Sequence, residues 1–344
     1  MKIYYRPIIQ NDKMKPSDFY QLGDQRQWFD KVEIIERGKD SFVTSASNVP
    51  TITLKTLTDT RSSEHFESFN SPLIMGILNI TPDSFSDGGE NLEVSKALHA
   101  VTTMISHGVD IIDVGGESTR PGSVEITYQE ELSRIEPVLK KIKCKYPNCK
   151  VSVDTRKSKV MAYVMEHGVN FINDVSAMTF DRKSRGVLAN KNAQICLMHG
   201  GLNPQKMQES IYYNDVLLDV YDYLEDCINF AVEGGIKRKN IIIDPGIGFG
   251  KTTEQNVTLI RNASLFHSLG CPVLYGVSRK RFIGYIGKIS NASDRFPGSI
   301  AVALELIRQG VQVIRVHDVK ETRQAFDLWQ AIGSLFDDEE RRSV

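Results

Sequence analysis

From residue 71 onward, short β-branched runs alternate with amphipathic stretches of ten or more residues. This alternation is typical of βα units that build a parallel sheet. The predicted strands cover residues 73–78, 110–114, 151–154, 170–174, 194–198, 240–244, 272–277 and 312–316. Eight strands over about 260 residues match the usual size of a (β/α)8 barrel. The sequence therefore predicts a TIM barrel over residues 71–335.

Two segments fall outside this alternation. Residues 1–70 contain short apolar bursts between polar stretches and end in a run rich in Ser and Thr, which predicts an appended, strand-containing extension. Its role stays open between a cap on the barrel, part of an interface and a partly disordered segment. Residues 336–344 form a charged C-terminal tail. The predicted fold class is thus α/β, a barrel with an N-terminal extension.

Composition argues against several functional classes. The chain has 42 Lys and Arg against 43 Asp and Glu, a net charge of -1, which disfavours binding to nucleic acid. A signal-peptide pattern and a stretch of 18 apolar residues are both missing from the sequence, which disfavours membrane insertion. The five cysteines are scattered and complete no zinc-ligand spacing. We therefore expect a cytoplasmic protein with reduced thiols.

Three segments of the chain repeat one pattern of helix end, glycine, strand and polar residue. They are "HGVDIID" (107–113), "HGVNFIN" (167–173) and "QGVQVIR" (309–315). A glycine suits the left-handed conformation that ends a helix. The shared spacing puts Asp113, Asn173 and Arg315 at equivalent heights on their strands. We expect these three side chains to point into one mouth of the barrel.

Polar side chains end every predicted strand. Enzymes with this fold place their chemistry at the carboxyl ends of the strands, although polar residues also follow strands simply because loops are polar. Six of the eight ends carry a charged or chargeable group, which favours an active site. The residues are Asn79, Asp113, Asp154, Asn173, His199, Asp244, Ser278 with Lys280, and Arg315 with His317.

The stretch "DPGIGFGKT" (244–252) resembles a phosphate-binding loop at first sight. A nucleotide-binding P-loop has the pattern G-x-x-x-x-G-K-S/T, but Pro245 stands where the first glycine belongs. A dinucleotide fingerprint also fails, because the spacing is G-x-G-x-G and an acid precedes the first glycine. Asp244 is therefore the candidate functional residue, with neighbouring glycines that let a ligand ring approach the backbone. Lys251 is interpreted as a surface or helix-start residue.

The types of polar residue indicate two kinds of ligand group. A carboxylate only accepts hydrogen bonds, so Asp154 and Asp244 suit a planar, donor-rich heterocycle such as an aminopyrimidine, and Asn173 offers both donors and acceptors. The basic groups suit a phosphorylated or carboxylated ligand, although "SRKRF" (278–282) is equally explained as a solvated helix start. These basic groups are Arg120, Arg279, Lys280, Arg281, Arg315 and His317.

Seven motifs in order along residues 71–332 closely resemble dihydropteroate synthase. They are "MGILNITPDSFSDGG" (75–89), "DVGGESTRPGS" (113–123), "VSVDT" (151–155), "IND" (172–174), "DPGIGFGKT" (244–252), "GVSRKRF" (276–282) and "IRVHDV" (314–319). The resemblance implies condensation of 6-hydroxymethyl-7,8-dihydropterin diphosphate with 4-aminobenzoate, giving 7,8-dihydropteroate and diphosphate in folate synthesis. It also implies a Mg²⁺ cofactor, a homodimer and sensitivity of the family to sulfonamides.

The resemblance also implies a role for each matching residue, with Asn79 as the Mg²⁺ ligand. The pterin would lie among Asp113, Asp154, Asn173, Met198, Asp244, Phe249 and Lys280. The aminobenzoate would lie among Phe85, Thr119, Arg120, Pro121, Ser278 and Lys280. The diphosphate would be held by Asn79, Arg120, Arg315 and His317. The residues expected to act in catalysis are Asp113, Asp154, Lys280 and Arg315.

Those residue types fit an SN1-like substitution. Diphosphate leaves readily once cations neutralise its charge, and an electron-rich pterin delocalises positive charge at its exocyclic methylene. The loops "TPDSFSDGG" and "GGESTRPGS" are interpreted as mobile covers that exclude water, with ordinary surface loops as the alternative. Two other functions compete with the synthase. One is a methyltetrahydrofolate-dependent methyltransferase barrel, and the other is a non-catalytic pterin-binding paralogue.

Overall fold

The computed structural model describes residues 2–63, 65–66, 68–80, 90–118, 123–200 and 212–333. The N-terminal part contains short strands, as the sequence predicts for the extension, and also one helix that was not predicted. β1 pairs antiparallel with β4 and β4 with β5, while β2 and β3 form a separate ribbon. The elements are β1 (Ile3–Pro7), β2 (Tyr20–Gln21), β3 (Trp28–Phe29), β4 (Lys31–Glu36), β5 (Phe42–Ser45) and α1 (Thr51–Thr58).

Eight parallel strands follow and close into a barrel, which confirms the predicted fold. Their order in the sheet is β11-β10-β9-β8-β7-β6-β13-β12, and a parallel bridge between Ile243 and Val273 joins the two outer strands. The strands are β6 (Leu73–Asn79), β7 (Ile111–Gly115), β8 (Lys150–Asp154), β9 (Phe171–Asp174), β10 (Gln194–Met198), β11 (Ile241–Asp244), β12 (Leu274–Tyr275) and β13 (Val313–Val316). β12 is shorter than predicted, partly because Pro272 has no N–H to donate to a neighbouring strand.

Helices cover the outside of the barrel, and each strand is followed by at least one. The described helices are α2 (Glu90–Ser106), α3 (Tyr128–Lys145), α4 (Ser158–Glu166), α5 (Ser184–Lys191), α6 (Val216–Glu233), α7 (Thr253–Arg261), α8 (Arg281–Gly287), α9 (Phe296–Arg308) and α10 (Val319–Gly333). Helix α6 shows how the sequence sets such an element. Asp215 caps its first turn by accepting hydrogen bonds from the N–H groups of Leu217 and Leu218. Its apolar stripe is buried against the barrel.

The extension caps the amino end of the barrel. Phe66 and Phe69 are almost fully buried, and they pack with strand residues such as Met75, Ile111 and Phe171. Arg61 adds polar anchoring, because its guanidinium donates to the carbonyl oxygens of His267 (2.9 Å) and Cys271 (3.0 Å). Of the roles left open by the sequence, the structure supports the cap for this described part.

The three repeated glycines take the predicted conformation. Gly108, Gly168 and Gly310 have φ angles of 77°, 82° and 84°, in the left-handed region that a side chain disfavours. Each glycine ends a helix, and the strand that follows starts within a few residues. The equivalent turns explain why the polar residues at the far ends of these strands reach one mouth.

The described helices include none with the length and apolar composition that a bilayer crossing needs. Cys196, Cys227 and Cys271 are buried, Cys149 is partly buried and Cys144 is exposed. The three buried thiols therefore act as small apolar side chains of the core.

Candidate active site

The predicted mouth residues from four strands meet in one buried cluster. Arg315 on β13 donates from Nε to Asp113 Oδ2 (2.6 Å) and from Nη2 to Asp154 Oδ2 (3.2 Å). Asn173 on β9 donates from Nδ2 to Asp113 Oδ2 at 3.1 Å. The expectation from the repeated segments, that Asp113, Asn173 and Arg315 share one mouth, is therefore confirmed.

Two acids of this cluster keep unused hydrogen-bonding capacity. Asp113 Oδ1 and Asp154 Oδ1 are buried and have no hydrogen-bond partner among the described residues. Burial raises the pKa of Asp154 to about 8; Arg315 opposes this shift and Asp113 adds to it. Such buried acceptors are costly unless a donor reaches them, so they indicate a place for a ligand that donates hydrogen bonds.

Asp244 lies at the end of β11 and also faces this mouth. Its Oδ1 accepts a hydrogen bond from the N–H of Gly246 at 2.8 Å. Burial raises the pKa of Asp244 to about 6, although that hydrogen bond and the Lys280 cation lower it. Met198 is opposite Asp244 in the β10–β11 register and is buried. A pterin-sized ring between the acids would therefore contact apolar surface as well as carboxylates.

The glycines after Asp244 have a structural cause that the sequence did not reveal. Gly246, Gly248 and Gly250 all have positive φ angles, of 70°, 81° and 57°. A Cβ on Gly246 would lie 2.0 Å from the carbonyl oxygen of His199. The motif is thus required by backbone conformation and by close packing on the end of β10.

Lys280 and Phe249 form a second contact across the mouth. The Lys280 ammonium lies 4.2 Å from the centre of the Phe249 ring, a cation–π geometry. Burial lowers the pKa of Lys280 to about 8, while Asp244 opposes the shift. The reading of "SRKRF" as only a solvated helix start is therefore wrong for Lys280, although Arg281 is exposed.

Ser278 and His317 lie together at the rim near Arg315. Ser278 Oγ is 3.0 Å from His317 Nδ1 and accepts from the His317 backbone N–H at 3.2 Å. Desolvation by the surrounding groups and the Arg315 cation lower the pKa of His317, even though part of the ring stays exposed. His317 is then neutral at pH 7, so it offers a hydrogen bond where the sequence suggested a positive charge.

Two other basic groups belong to the predicted array, Arg279 and Arg120. Arg279 is paired with Asp318, with 3.0 Å between Nε and Oδ2, and it adopts a left-handed φ of 58°. Its charge is therefore already neutralised by the protein. Arg120 lies outside the described residues, as do Phe85, Thr119 and Pro121 and most of the two predicted covering loops.

Lys251 corrects an expectation, because it is not a surface residue. Its side chain is 8% exposed, and its ammonium lies 2.9 Å from the carbonyl oxygens of both Gly246 and Phe249. Burial lowers its pKa to about 7, although Asp244 opposes the shift. Thr252, the next residue, is the N-cap of α7, and the helix begins at Thr253, so only the helix-start half of the interpretation is right. A lysine between a glycine loop and a capping box carried no sequence signal of burial.

A buried ionic cluster beside the mouth was also missed. Glu117 Oε2 lies 3.1 Å from Arg156 Nη2 and 3.0 Å from Lys157 Nζ, and Lys157 also contacts Glu131 at 2.7 Å. Glu117 Oε1 accepts from the N–H of Ile126. The cluster therefore ties the segment after β7 to the segment after β8. The adjacent charges of "DTRKS" (154–158) were the available signal, but periodicity alone does not pair them with Glu117.

The chemistry of the mouth suits a magnesium ion only if the substrate supplies most of the ligands. Within the described ranges, no group of three or more His, Cys, Asp or Glu side chains is arranged to hold a metal ion. Asn79 ends β6, with its Oδ1 close to Gly115 of the neighbouring strand. An amide oxygen is a suitable ligand for Mg²⁺, which usually retains waters and binds phosphate oxygens. Asn79 therefore fits a metal that arrives with a diphosphate.

Comparisons with known proteins agree with this site. The family described as "Pterin binding enzyme" matches residues 75–317. Dihydropteroate synthase of Clostridium beijerinckii is 42% identical over 264 residues, which are 76% of this chain and 95% of that protein. The Xanthomonas albilineans enzyme with 4-aminobenzoic acid is 38% identical with a TM-score of 0.73, over 77% of this chain and 94% of that one.

A second structure of the Xanthomonas albilineans enzyme, in complex with 7,8-dihydropteroate, is 35% identical with a TM-score of 0.71. The match covers 79% of this chain and 97% of the chain in that structure. The family match covers most of the barrel and its polar mouth, and it leaves out the N-terminal extension. The barrel, its cluster of acids and the similarity over nearly the whole length of these relatives lead to one conclusion. The chain belongs to the dihydropteroate synthase family of pterin-binding enzymes.

Proposed function

We propose that this transferase joins 6-hydroxymethyl-7,8-dihydropterin diphosphate to 4-aminobenzoate by an SN1-like substitution at the carboxyl end of the barrel. The observation that carries the proposal is the pair of unpartnered, buried oxygens, Asp113 Oδ1 and Asp154 Oδ1, beside Asn173 in the described mouth. The aminopyrimidine edge of a pterin supplies the N–H donors that these oxygens lack.

The acids have a second effect once the bond to diphosphate lengthens. Positive charge then develops on the pterin methylene, and it is favoured by the field of Asp113 and Asp244 and, above its pKa of about 8, by that of Asp154. Because the mouth is buried, this interaction is stronger than it would be in water. The aryl amine of 4-aminobenzoate then forms the new C–N bond and loses a proton, while diphosphate carries away the electrons of the broken C–O bond.

Departure of the diphosphate needs positive charge and hydrogen bonds next to the acids that bind the pterin. Arg315 carries the charge. Burial lowers its pKa, but the Asp113 and Asp154 carboxylates outweigh that effect and keep the pKa above the ordinary value. His317 donates a hydrogen bond as a neutral imidazole. Asn79 would hold Mg²⁺, which supplies charge neutralisation for the leaving diphosphate when it is bound.

The aminobenzoate is proposed to lie between Lys280, Ser278 and the loops that carry Phe85, Thr119, Arg120 and Pro121. Lys280 supports this placement because its ammonium is held over Phe249, between the pterin acids and the rim. Substituting Phe85 or Pro121 should raise the KM for 4-aminobenzoate more than the dissociation constant for the pterin diphosphate. Equal losses for both substrates, in kinetics and titration, would contradict this placement.

The decisive experiment measures dihydropteroate formation from the two substrates after chelation and after Mg²⁺ is restored. We expect product only with the metal present. Pterin binding without turnover would instead identify a non-catalytic paralogue, and methyl transfer from methyltetrahydrofolate would identify the competing barrel enzyme. Product formation that is unchanged by chelation would overturn the proposed role of Mg²⁺.

We also propose that the enzyme works as a cytoplasmic homodimer. Tyr285 and Ile286 on α8 are 75% and 58% exposed, and Phe296 at the start of α9 is 39% exposed. These neighbouring apolar side chains support a contact with a second copy. Light scattering on protein eluted from a size-exclusion column measures the molar mass. A monomeric mass at micromolar concentration would refute the dimer.

A further inference from the structure

The ammonium group of Lys251 is the centre of the glycine loop 245–251. It lies 2.9 Å from the carbonyl oxygens of Gly246 and Phe249 and 3.3 Å from that of His199. It is also 2.9 Å from His199 Nδ1. Burial and the neighbouring Lys251 cation lower the pKa of His199 to about 3, so this ring is neutral and its Nδ1 accepts the hydrogen bond. The Lys251 side chain therefore connects the loop backbone at Gly246 and Phe249 to His199, the residue that follows β10.

Other contacts hold the remaining backbone of the loop. The N–H of Gly248 donates to Asn256 Oδ1 at 2.7 Å, and the hydroxyl of Tyr213 donates to the carbonyl oxygen of Gly250 at 3.0 Å. The N–H of Phe249 donates to the carbonyl oxygen of Gly246 at 3.2 Å. The loop is consequently specified in one conformation, with the Lys251 ammonium beneath it.

Burying the Lys251 ammonium costs desolvation free energy. We therefore expect the ammonium to contribute more than packing volume at this position. An apolar side chain of similar size would pack without desolvating an ammonium group. Asp244 is the nearby acid that favours the charge, while Lys280 opposes it. What the ammonium provides, and an apolar side chain would not, is a set of donors directed at several acceptors at once.

Two mouth residues depend on the backbone that these donors hold. The N–H of Gly246 orients the Asp244 carboxylate, and the Phe249 ring carries the Lys280 ammonium on its face. We propose that Lys251 is a positioning residue for the pterin, acting through the carbonyls of Gly246 and Phe249 to fix Asp244 and Phe249. The inference rests on the proposed pterin contacts of those two residues.

The test compares Lys251→Met, which removes all donors, with Lys251→Gln, which retains two. Calorimetry measures the dissociation constant for the pterin diphosphate, and steady-state kinetics measures the KM for 4-aminobenzoate. We expect Lys251→Met to weaken pterin binding at least about tenfold and to change the KM for 4-aminobenzoate less than about twofold. Lys251→Gln should recover part of the loss. Lys141→Met, at an exposed position on α3, is the matched control and should behave as the wild type.

A folded Lys251→Met variant that binds the pterin diphosphate as the wild type does would overturn the inference. Equal loss of both substrates, or no recovery in Lys251→Gln, would also overturn it, because a purely structural role predicts those results. If Lys251→Met does not fold, Tyr213→Phe loosens the same loop by removing one hydrogen bond to the carbonyl of the partly exposed Gly250. That variant should weaken pterin binding selectively, and unchanged binding would contradict the inference.

Asp244→Asn separates this inference from the assignment on which it rests. If Asp244→Asn leaves pterin binding unchanged, the proposed pterin contact of Asp244 is wrong. If Asp244→Asn weakens binding and Lys251→Met does not, the pterin contact stands and only the positioning role of Lys251 fails.

Discussion

At the amino end of the barrel, Phe66 and Phe69 close the interior with apolar surface, whereas at the carboxyl end Asp113 and Asp154 each bury an oxygen that has no partner within the described chain. The first arrangement removes apolar area from water and stabilises the fold. The second raises the free energy of the unliganded protein, and a ligand with matching donors recovers it. The comparison teaches that stability and recognition are concentrated at opposite ends of the same strands.

The largest expected effect is loss of stability at the amino end. Phe66→Ala should lower the free energy of unfolding by about 3 to 5 kcal/mol, because it leaves a cavity under the barrel. Chemical denaturation followed by circular dichroism measures this change. The kcat/KM of the folded variant should stay within about twofold of the wild type. Phe42→Ala, at a side chain that is 57% exposed, is the control and should cost little.

The carboxyl end should show the opposite balance. At pH 9, where Asp154 with its pKa of about 8 is ionised, Asp154→Asn should lower kcat/KM about 100-fold, since it removes a charge that favours the developing pterin cation. Its stability at pH 8 should equal or exceed that of the wild type, because the variant no longer buries an acid whose pKa is raised. A variant with full activity, or one that unfolds as easily as Phe66→Ala, would break the comparison.

Low pH should destabilise the amino end of the barrel through protonation of His267. Burial and the Arg61 cation lower the pKa of His267 to about 3, so the folded state keeps this ring neutral. The unfolded state takes up a proton below pH 6.5, and stability is therefore lost as pH falls from 6.5 towards 5. His267→Gln should reduce the slope of this loss by up to about 1.4 kcal/mol per pH unit. The exposed His99→Gln should leave the slope unchanged in denaturation at several pH values.

The smallest effect is expected for the ion pairs that join the extension to α6. Arg37 lies 2.7 Å from carboxylate oxygens of both Asp219 and Asp222, but its side chain is 39% exposed. Solvent and salt screen such pairs, so Arg37→Met should cost less than about 1 kcal/mol in the same denaturation experiment. A cost equal to that of Phe66→Ala would mean that charge, not apolar surface, attaches the extension to the barrel.

Much of the barrel and of its mouth was predictable from local patterns. The strand runs at 151–154 and 240–244 are apolar because both faces of a barrel strand are buried, and this property is visible without any structure. The repeated glycine turns also predicted that Asp113, Asn173 and Arg315 meet. Lys251 was predicted wrongly because burial of a lysine depends on carbonyl oxygens from two separate segments, which no periodicity encodes.

The extension illustrates the same limit at a larger scale. Its strands were predictable in kind, but the packing of Phe66 and Phe69 into the barrel depends on strand residues far along the chain. The pairing of Glu117 with Arg156 and Lys157 likewise joins segments that follow different strands. Periodicity and motifs, which are local, determined the class of fold, the family and most of the mouth residues. Only the tertiary structure decided which charges are paired, which acids are left unpartnered and where the extension packs, because those properties depend on neighbours that are distant in sequence.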